Sequence, residues 1–443
     1  MKCRANVGAL PLSAVMALAV LAFAVPLVPG VPAGASSVSK LPKSTIRVPR
    51  DEPTIQLAVD AAKPGTLVLV APGVYNEAVT VGPKHHDIVI RGEDRATAIL
   101  DGRFSAETGQ DNGFHVRADG VAIENITARN FVNNGFFWEG VDGYRGSYLT
   151  AIRNGDYGIY AFGSVHGQFD HDYASGSPDA GFYIGQCKPC HALITDSEAE
   201  WNGLGYSGTN AGGDLVITRS SFHDNRAGIV PNSETGEKLS PQRGATIVGN
   251  TVFSNNNLKT AAIEIADIAT GNGILLAGGN DDIVERNLVH TQVVTGISVI
   301  PLPEKILDPS NPKSKNFSAT GNQVRDNSLS DNLLDLVLVS TLDDASQSGR
   351  NCFSGNHAAT TLPTGLEQVL PCTGTGTGTF KADIPKFLQL LSSPKPTPPD
   401  FKAVPLPDPP ALANMPGRLT AKARPARHLP KHVNLKQIPL PTA

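Results

Sequence analysis

Asp156 and Asp179 lie 23 residues apart, each two residues ahead of a glycine that opens a short apolar run, Gly158 and Gly181. If the chain repeats at that spacing, the two carboxylates stack on neighbouring units about 5 Å apart and repel by roughly 3 kcal/mol at an effective dielectric of 20. Such a pair wants a proton or a cation, and calcium suits oxygen ligands. Arg226 falls in the same column beyond Gly203 and could meet an anionic ligand across that gap. Two residues after the same glycines come Phe137, Tyr160 and Tyr183, a column that can offer sugar rings a stacking platform. Glu200 and His223 are 23 apart as well and read as an acid/base pair. Each reading has a plainer alternative: an Asn/Asp turn ladder, an aromatic ladder under a loop, and a surface ion pair.

These columns exist only if the chain repeats. Glycines preceding short apolar strands stand at 135, 158, 181, 205, 228, 273 and 296, with successive steps of 23, 23, 24, 23, 45 and 23. A period of this size means a solenoid. Leucine-rich units need more leucine, and helical repeats need a 3.6-residue pattern that is missing here. Three short strands and three turns per unit make one coil of a parallel β-helix, in which each inward side chain stacks on its equivalent in the next coil. Phe136, Ile159, Phe182, Tyr206, Ile229, Ile274 and Ile297 are expected to form one inward stack, with the glycines supplying turn conformations. The 45-residue step reads as one coil carrying two projecting loops, Asn232 to Arg243 and Asn257 to Thr270, where binding residues tend to sit. His171, Asp196 and Arg219 read as a salt-bridge ladder at a turn. Asp172 aligns with Ser197, Ser220 and Asn250, a structural turn position.

The ends complete the plan. Lys2 and Arg4, an apolar stretch from Val7 to Val28 and Ala33-Gly34-Ala35 are read as a signal peptide over 1–35, followed by a linker over 36–50. Thr54 caps a short helix presenting Ile55, Ala58, Val59 and Ala62, placed to cover the open end of the first coil. The β-helix is expected over 51–373 and a Pro-rich basic tail over 374–443. From Phe380 onward there are ten Lys or Arg against three Asp and 14 of the 34 prolines, so polyproline II or disorder is expected there. A tail of that charge can tether the protein to an anionic surface. Export makes the four remaining cysteines disulfides, and we pair Cys187 with Cys190 and Cys352 with Cys372. The composition, with 18% charged residues and 78 Gly plus Pro, excludes a coiled coil, and the lone apolar run excludes a polytopic membrane protein.

The string T-I-Q-L-A-V-D-A-A-K-P-G-T-L-V-L-V-A-P-G-V-Y-N-E-A-V-T-V, residues 54–81, resembles the leading segment of the pectin-lyase-like superfamily of right-handed parallel β-helices. The repeats that follow resemble exported β-helix-repeat proteins of actinobacteria. The resemblance implies an all-β, single-stranded right-handed solenoid with a helical cap. It also implies a secreted or surface-associated monomer acting on an extracellular or cell-wall polysaccharide, by binding or by lyase or epimerase chemistry. The Asp156/Asp179 arrangement resembles calcium-assisted uronate lyases, in which a metal acidifies the proton that a base removes. Asp170-His171-Asp172 is similar to the Asp-Pro-His-Asp/Glu motif of alginate epimerases and lyases, without its proline. The competing reading is a non-catalytic scaffold. Nothing in the chain resembles a nucleotide fingerprint or a nucleic-acid-binding face, and no membrane anchor is expected after processing.

Overall fold

A computed structural model describes residues 44–105, 111–392, 395–427, 429–430 and 432–442. The signal peptide and most of the expected linker lie outside these residues. Among the described residues the strands form three long parallel sheets, which the chain visits in a fixed order as it winds. Sheet A runs from Thr45–Val48 to Cys352–Ser354, sheet B from Gly73–Tyr75 to Ser328–Ser330, and sheet C from Val79–Val81 to Thr361–Leu362. The first strand falls inside the segment expected to be a linker and pairs with Leu67–Val70.

Register follows the repeat. On sheet C, Phe136 pairs with Ile159, Ile159 with Phe182, Phe182 with Tyr206, and Tyr206 with Ile229. Ile229 then pairs directly with Ile274, so the 45-residue step is one coil with its insertions looped out. All seven side chains of this inward column are fully buried, each contributing roughly 1.5–3 kcal/mol of apolar burial.

The repeat glycines serve packing, not the turn conformations expected of them. A β-carbon on Gly158 would lie 2.7 Å from the Gly181 carbonyl oxygen, and one on Gly228 would lie 2.4 Å from that of Gly273. The coils therefore approach too closely at this position for any side chain. Left-handed backbone occurs instead at the corner between sheets A and B, at His171, Asp196 and Arg219. The next position is an internal polar ladder, in which each backbone N–H donates to the side chain one coil on. Ser197 N–H donates to Ser220 Oγ (3.1 Å), Ser220 N–H to Asn250 Oδ1 (3.1 Å) and Asn250 N–H to Asn287 Oδ1 (3.0 Å). Asp172 belongs to this ladder, accepting from Leu149 N–H at 2.7 Å.

Helix Ile55–Ala61 closes the first coil with Thr54 as its N-cap, accepting from Leu57 N–H, and buries Ile55, Ala58 and Val59. Cys187 is bonded to Cys190, and Cys352 to Cys372.

The tail is where the structure departs furthest from expectation. Ile384–Leu391 is a helix capped by Asp383, and its buried Phe387 lines one apolar cavity with Leu275 and Val337 on the outside of sheet C. The tail then crosses sheet B and runs along sheet A as irregular chain broken by turns at 416–420 and a 3-10 turn at Leu435–Gln437. Arginines of the solenoid hold its carbonyls: Arg153 donates to Val404 O (2.7 Å), Arg91 to Ala421 O (2.8 Å), and Arg286 to Leu435 O (2.7 Å) and Ile438 O (2.9 Å). Ala426 is buried against Leu67, Leu69, Val89 and Ala122. A segment too polar to build a core of its own docks because its backbone acceptors meet fixed guanidinium donors. Among the described residues no helix is long and apolar enough to cross a membrane.

Candidate functional site

The outward positions of sheet C alternate with the inward stack, so Phe137, Tyr160 and Tyr183 come into register as expected. His115 extends the column, stacking on Phe137 at 4.8 Å, and Phe137 stacks on Tyr160 at 4.4 Å. Tyr160 meets Tyr183 edge-on at 4.7 Å. Tyr183 is buried rather than exposed, so the accessible part of the platform is His115, Phe137 and Tyr160.

Beside this column lie the two aspartates. Asp179 N–H donates to the Asp156 carbonyl at 3.2 Å, which places the pair on adjacent coils. Tyr157 packs against Tyr160 and donates its hydroxyl to Asp179 Oδ2 at 2.7 Å. Asp179 Oδ1 is buried without a partner. Both looped insertions turn toward this face. The first brings Glu234 and Glu237, the latter accepting from Gln186 Nε2; the second brings Glu264 on the short helix Glu264–Ile268.

The carboxyls raise one another's pKa. Burial, then the charge of Glu264, pushes Asp156 up to about 6. Burial and Glu234 push Glu237 up to about 7. Asp179 is held well above the usual carboxylate range by burial, with Asp156, Glu264 and Glu234 adding to it against the Tyr157 hydrogen bond. Burial likewise keeps the Tyr160 hydroxyl protonated. The face thus carries carboxyls poised to exchange protons near neutrality next to an aromatic platform. A cation would answer the same excess of negative charge. The oxygen donors that could hold one are Asp156, Asp179 with its orphaned Oδ1, and Glu264, which among the described residues do not converge as a closed three-ligand site.

Three residues expected to carry chemistry do not join this face. Arg226 occupies the predicted column, its N–H donating to Gly203 O, yet its side chain is fully buried. It pairs with Asp267 at 2.9 Å and donates to Thr260 O at 3.1 Å. Its role is to anchor the second insertion, because that loop folds back over the gap above Gly203. Glu200 and His223 are neighbours across coils, as expected, but on sheet B. Glu198 and Asp224 join them, and Tyr173 donates its hydroxyl to Glu200. Burial pulls the His223 pKa down, but the hydrogen bonds to Asp224 and Glu198 and the nearby Glu200 hold it up at about 9.

Asp170-His171-Asp172 is divided among three environments. Asp170 lies on the outer face of sheet A, where Arg145 donates at 3.1 Å and Ser147 at 2.7 Å. Burial opposes its ionisation, but hydrogen bonds from His171, Arg145 and Ser147 bring its pKa down to about 2. His171 stacks on Tyr148 at 4.5 Å on the corner, and Asp172 is interior. Arg219 grips Asp196 at 2.9 and 3.0 Å, the expected corner ladder. These corner side chains line a cleft of about 560 Å³ framed by Leu412, Ala413, Pro439 and Pro441 of the tail.

Sequence reading missed Tyr157, Glu234, Glu237 and Glu264. The signal for the glutamates was present in the two insertions, and Tyr157 directly follows Asp156.

Residues 112–362 match the family described as right handed beta helix region. No curated protein matches at the sequence level. Among solved structures, the A-module of the Azotobacter vinelandii mannuronan C-5 epimerase AlgE6 aligns with a TM-score of 0.51 at 16% identity, over 74% of this chain and 94% of that one. The AlgE4 A-module of the same organism gives 0.49 at 14% identity, over 69% and 91%. An alginate lyase from a Paenibacillus species gives 0.44 at 14%, over 71% and 98%. At these identities the likeness is one of fold. The family model spans more than half of the chain, which therefore belongs to the right-handed β-helix family.

Proposed function

We propose that this protein is an exported, polysaccharide-processing β-helix whose working face is the half of sheet C around Tyr160. The observation that carries this reading is the convergence of an aromatic column with carboxyls raised toward neutral pH on one face. Aromatic faces take the apolar face of a sugar ring, and carboxyls of this kind move protons. The fold shared with a protein named as a mannuronan C-5 epimerase supports a sugar substrate.

The chemistry that fits is proton transfer at a ring carbon. In a lyase or epimerase a base removes the proton on the carbon next to the sugar carboxylate. A second group then returns a proton to that carbon, or to the departing oxygen. Glu237, about half ionised near pH 7, is suited to accept; the Tyr160 hydroxyl, kept protonated by burial, is suited to donate. Because carboxyls dominate this face, an acidic sugar would bind with a cation between it and Asp156 and Asp179, calcium in the first place. The disulfides and the signal-peptide reading support export.

The test is incubation of the purified protein with uronate-containing and neutral polysaccharides, with calcium and with chelator. Unsaturated-product absorbance, reducing ends and residue composition by NMR are followed together. Turnover of a uronate polymer is expected. Binding without turnover across the panel would favour a carbohydrate-binding scaffold, and neither binding nor turnover would remove the polysaccharide reading.

A further inference from the structure

A second group of side chains, on sheet B and away from the aromatic column, directs three ligand atoms at one point. Glu198 and Glu200 are the outward residues of strand Glu198–Glu200, and His223 lies outward on the next coil in register with Glu200. One ligand atom from each lies within 4.8 Å of the other two. His223 Nε2 is 3.1 Å from Glu198 Oε1, while Nδ1 faces Asp224 Oδ2 at 2.9 Å. Asp224 on Nδ1 would hold the proton there while a metal took the place of the proton that Nε2 shares with Glu198, the arrangement that metal-bound histidines use. Tyr173 engages Glu200 Oε1 and leaves Oε2 available.

Glu200 has a further buried polar neighbour. Ser175 precedes Glu200 by one coil in the same outward column and is 2% exposed. Its hydroxyl approaches that of Tyr173 but has no partner at hydrogen-bond geometry. Ser175 is thus a buried hydroxyl left unpaired next to Glu200, on the coil that precedes it.

We infer that Glu198, Glu200 and His223 bind a first-row divalent cation, zinc foremost, with Asp224 positioning the histidine. An imidazole nitrogen with two carboxylates selects zinc over calcium, which takes oxygen ligands. Three protein ligands leave a coordination position open. Glu198 also lines the cleft framed by the tail, so a ligand in that cleft lies within reach of the metal. The site pins two coils of sheet B together and is separate from the calcium proposed at Asp156 and Asp179.

The test is a zinc titration of the chelator-stripped protein in competition with a chromophoric chelator. One equivalent is expected to bind, and His223→Gln and Glu200→Gln are each expected to weaken it by at least about a hundredfold. Asp224→Asn should weaken it by roughly tenfold to a hundredfold, the range for residues that orient a ligand, and Asp156→Asn should leave it unchanged. Circular dichroism checks that each variant is folded. Should His223→Gln fail to fold, X-ray absorption on the zinc-loaded parent replaces it, with mixed nitrogen and oxygen ligation expected. Absence of zinc binding, binding that survives both ligand substitutions, or all-oxygen ligation would overturn the site.

Discussion

Sheets A and C are built from the same coils with the same register, yet their outer faces handle charge in opposite ways. On sheet A, Arg91 bonds Glu124 at 2.6 Å, Arg145 reaches Glu124 at 3.2 Å and Asp170 at 3.1 Å, and the tail seals Arg91 and Glu124 from solvent. Charges alternate, donors meet acceptors, and the Asp170 pKa falls to about 2. On sheet C, acid is set beside acid, Asp179 Oδ1 has no partner, and Asp156 and Glu237 rise to about 6 and about 7. A solenoid can build a satisfied outer face when the face is only structural. Leaving carboxyls unmatched costs stability, and such costs collect where chemistry is done.

The sharpest way to break this contrast is to unbalance sheet A. Arg91→Ala leaves Glu124 buried with only Arg145 for company and removes the donor to three tail carbonyls. A loss of about 3–5 kcal/mol is expected, read by chemical denaturation, with limited proteolysis of the tail following. Loss below about 1 kcal/mol would mean the network is not holding the tail.

Calcium should act on sheet C alone. A cation held by the folded pair Asp156 and Asp179 raises the unfolding temperature, by the equivalent of about 2.7 kcal/mol at a hundredfold excess over Kd. Asp179→Asn should abolish that rise. If a proton rather than a cation satisfies the pair, the variant will equal or exceed the parent in stability, and calcium will move neither melting curve.

A smaller effect tests the ladders. Asp282 accepts from Ala245 N–H and Gln242 Nε2, but its Oδ2 is buried without a partner, and burial lifts its pKa from 3.8 to about 7. A carboxyl neutral in the fold and free to ionise when unfolded costs stability progressively between those two values and in full above the higher. Asp282→Asn should therefore stabilise the protein by roughly 1–3 kcal/mol at pH 8, with the gain vanishing near pH 4. Asp170 works in the opposite sense: its stabilisation is present above pH 3.8 and is lost as pH falls toward about 2.

Much of this was legible in sequence because the period fixes it. The inward stack from Phe136 to Ile297 and the adjacency of Glu200 and His223 follow from spacing, the helix at Thr54 from its cap and apolar face, and both disulfides from the export reading. What spacing cannot supply is what lies over a column. Arg226 was in the right column, but only the fold of the second insertion shows that Asp267 takes its charge. Tyr183 was in the right column and is covered. The glycines stand out by their spacing and read as turn formers, whereas crowding between coils is what requires them. Docking of the tail depends on arginines more than a hundred residues away, and composition describes the tail only by itself.

If the carboxyls and aromatics of sheet C are the working face, the pH dependence of product formation on the substrate found in the panel must follow their ionisation. With Glu237 as the base, activity should rise through about pH 7 as that carboxyl ionises. Glu237→Gln should then lower the rate by about two to four orders of magnitude, while Asp172→Asn, inside the corner ladder, should keep the parent profile. A Glu237→Gln variant that retains the parent's rate and profile would contradict the account.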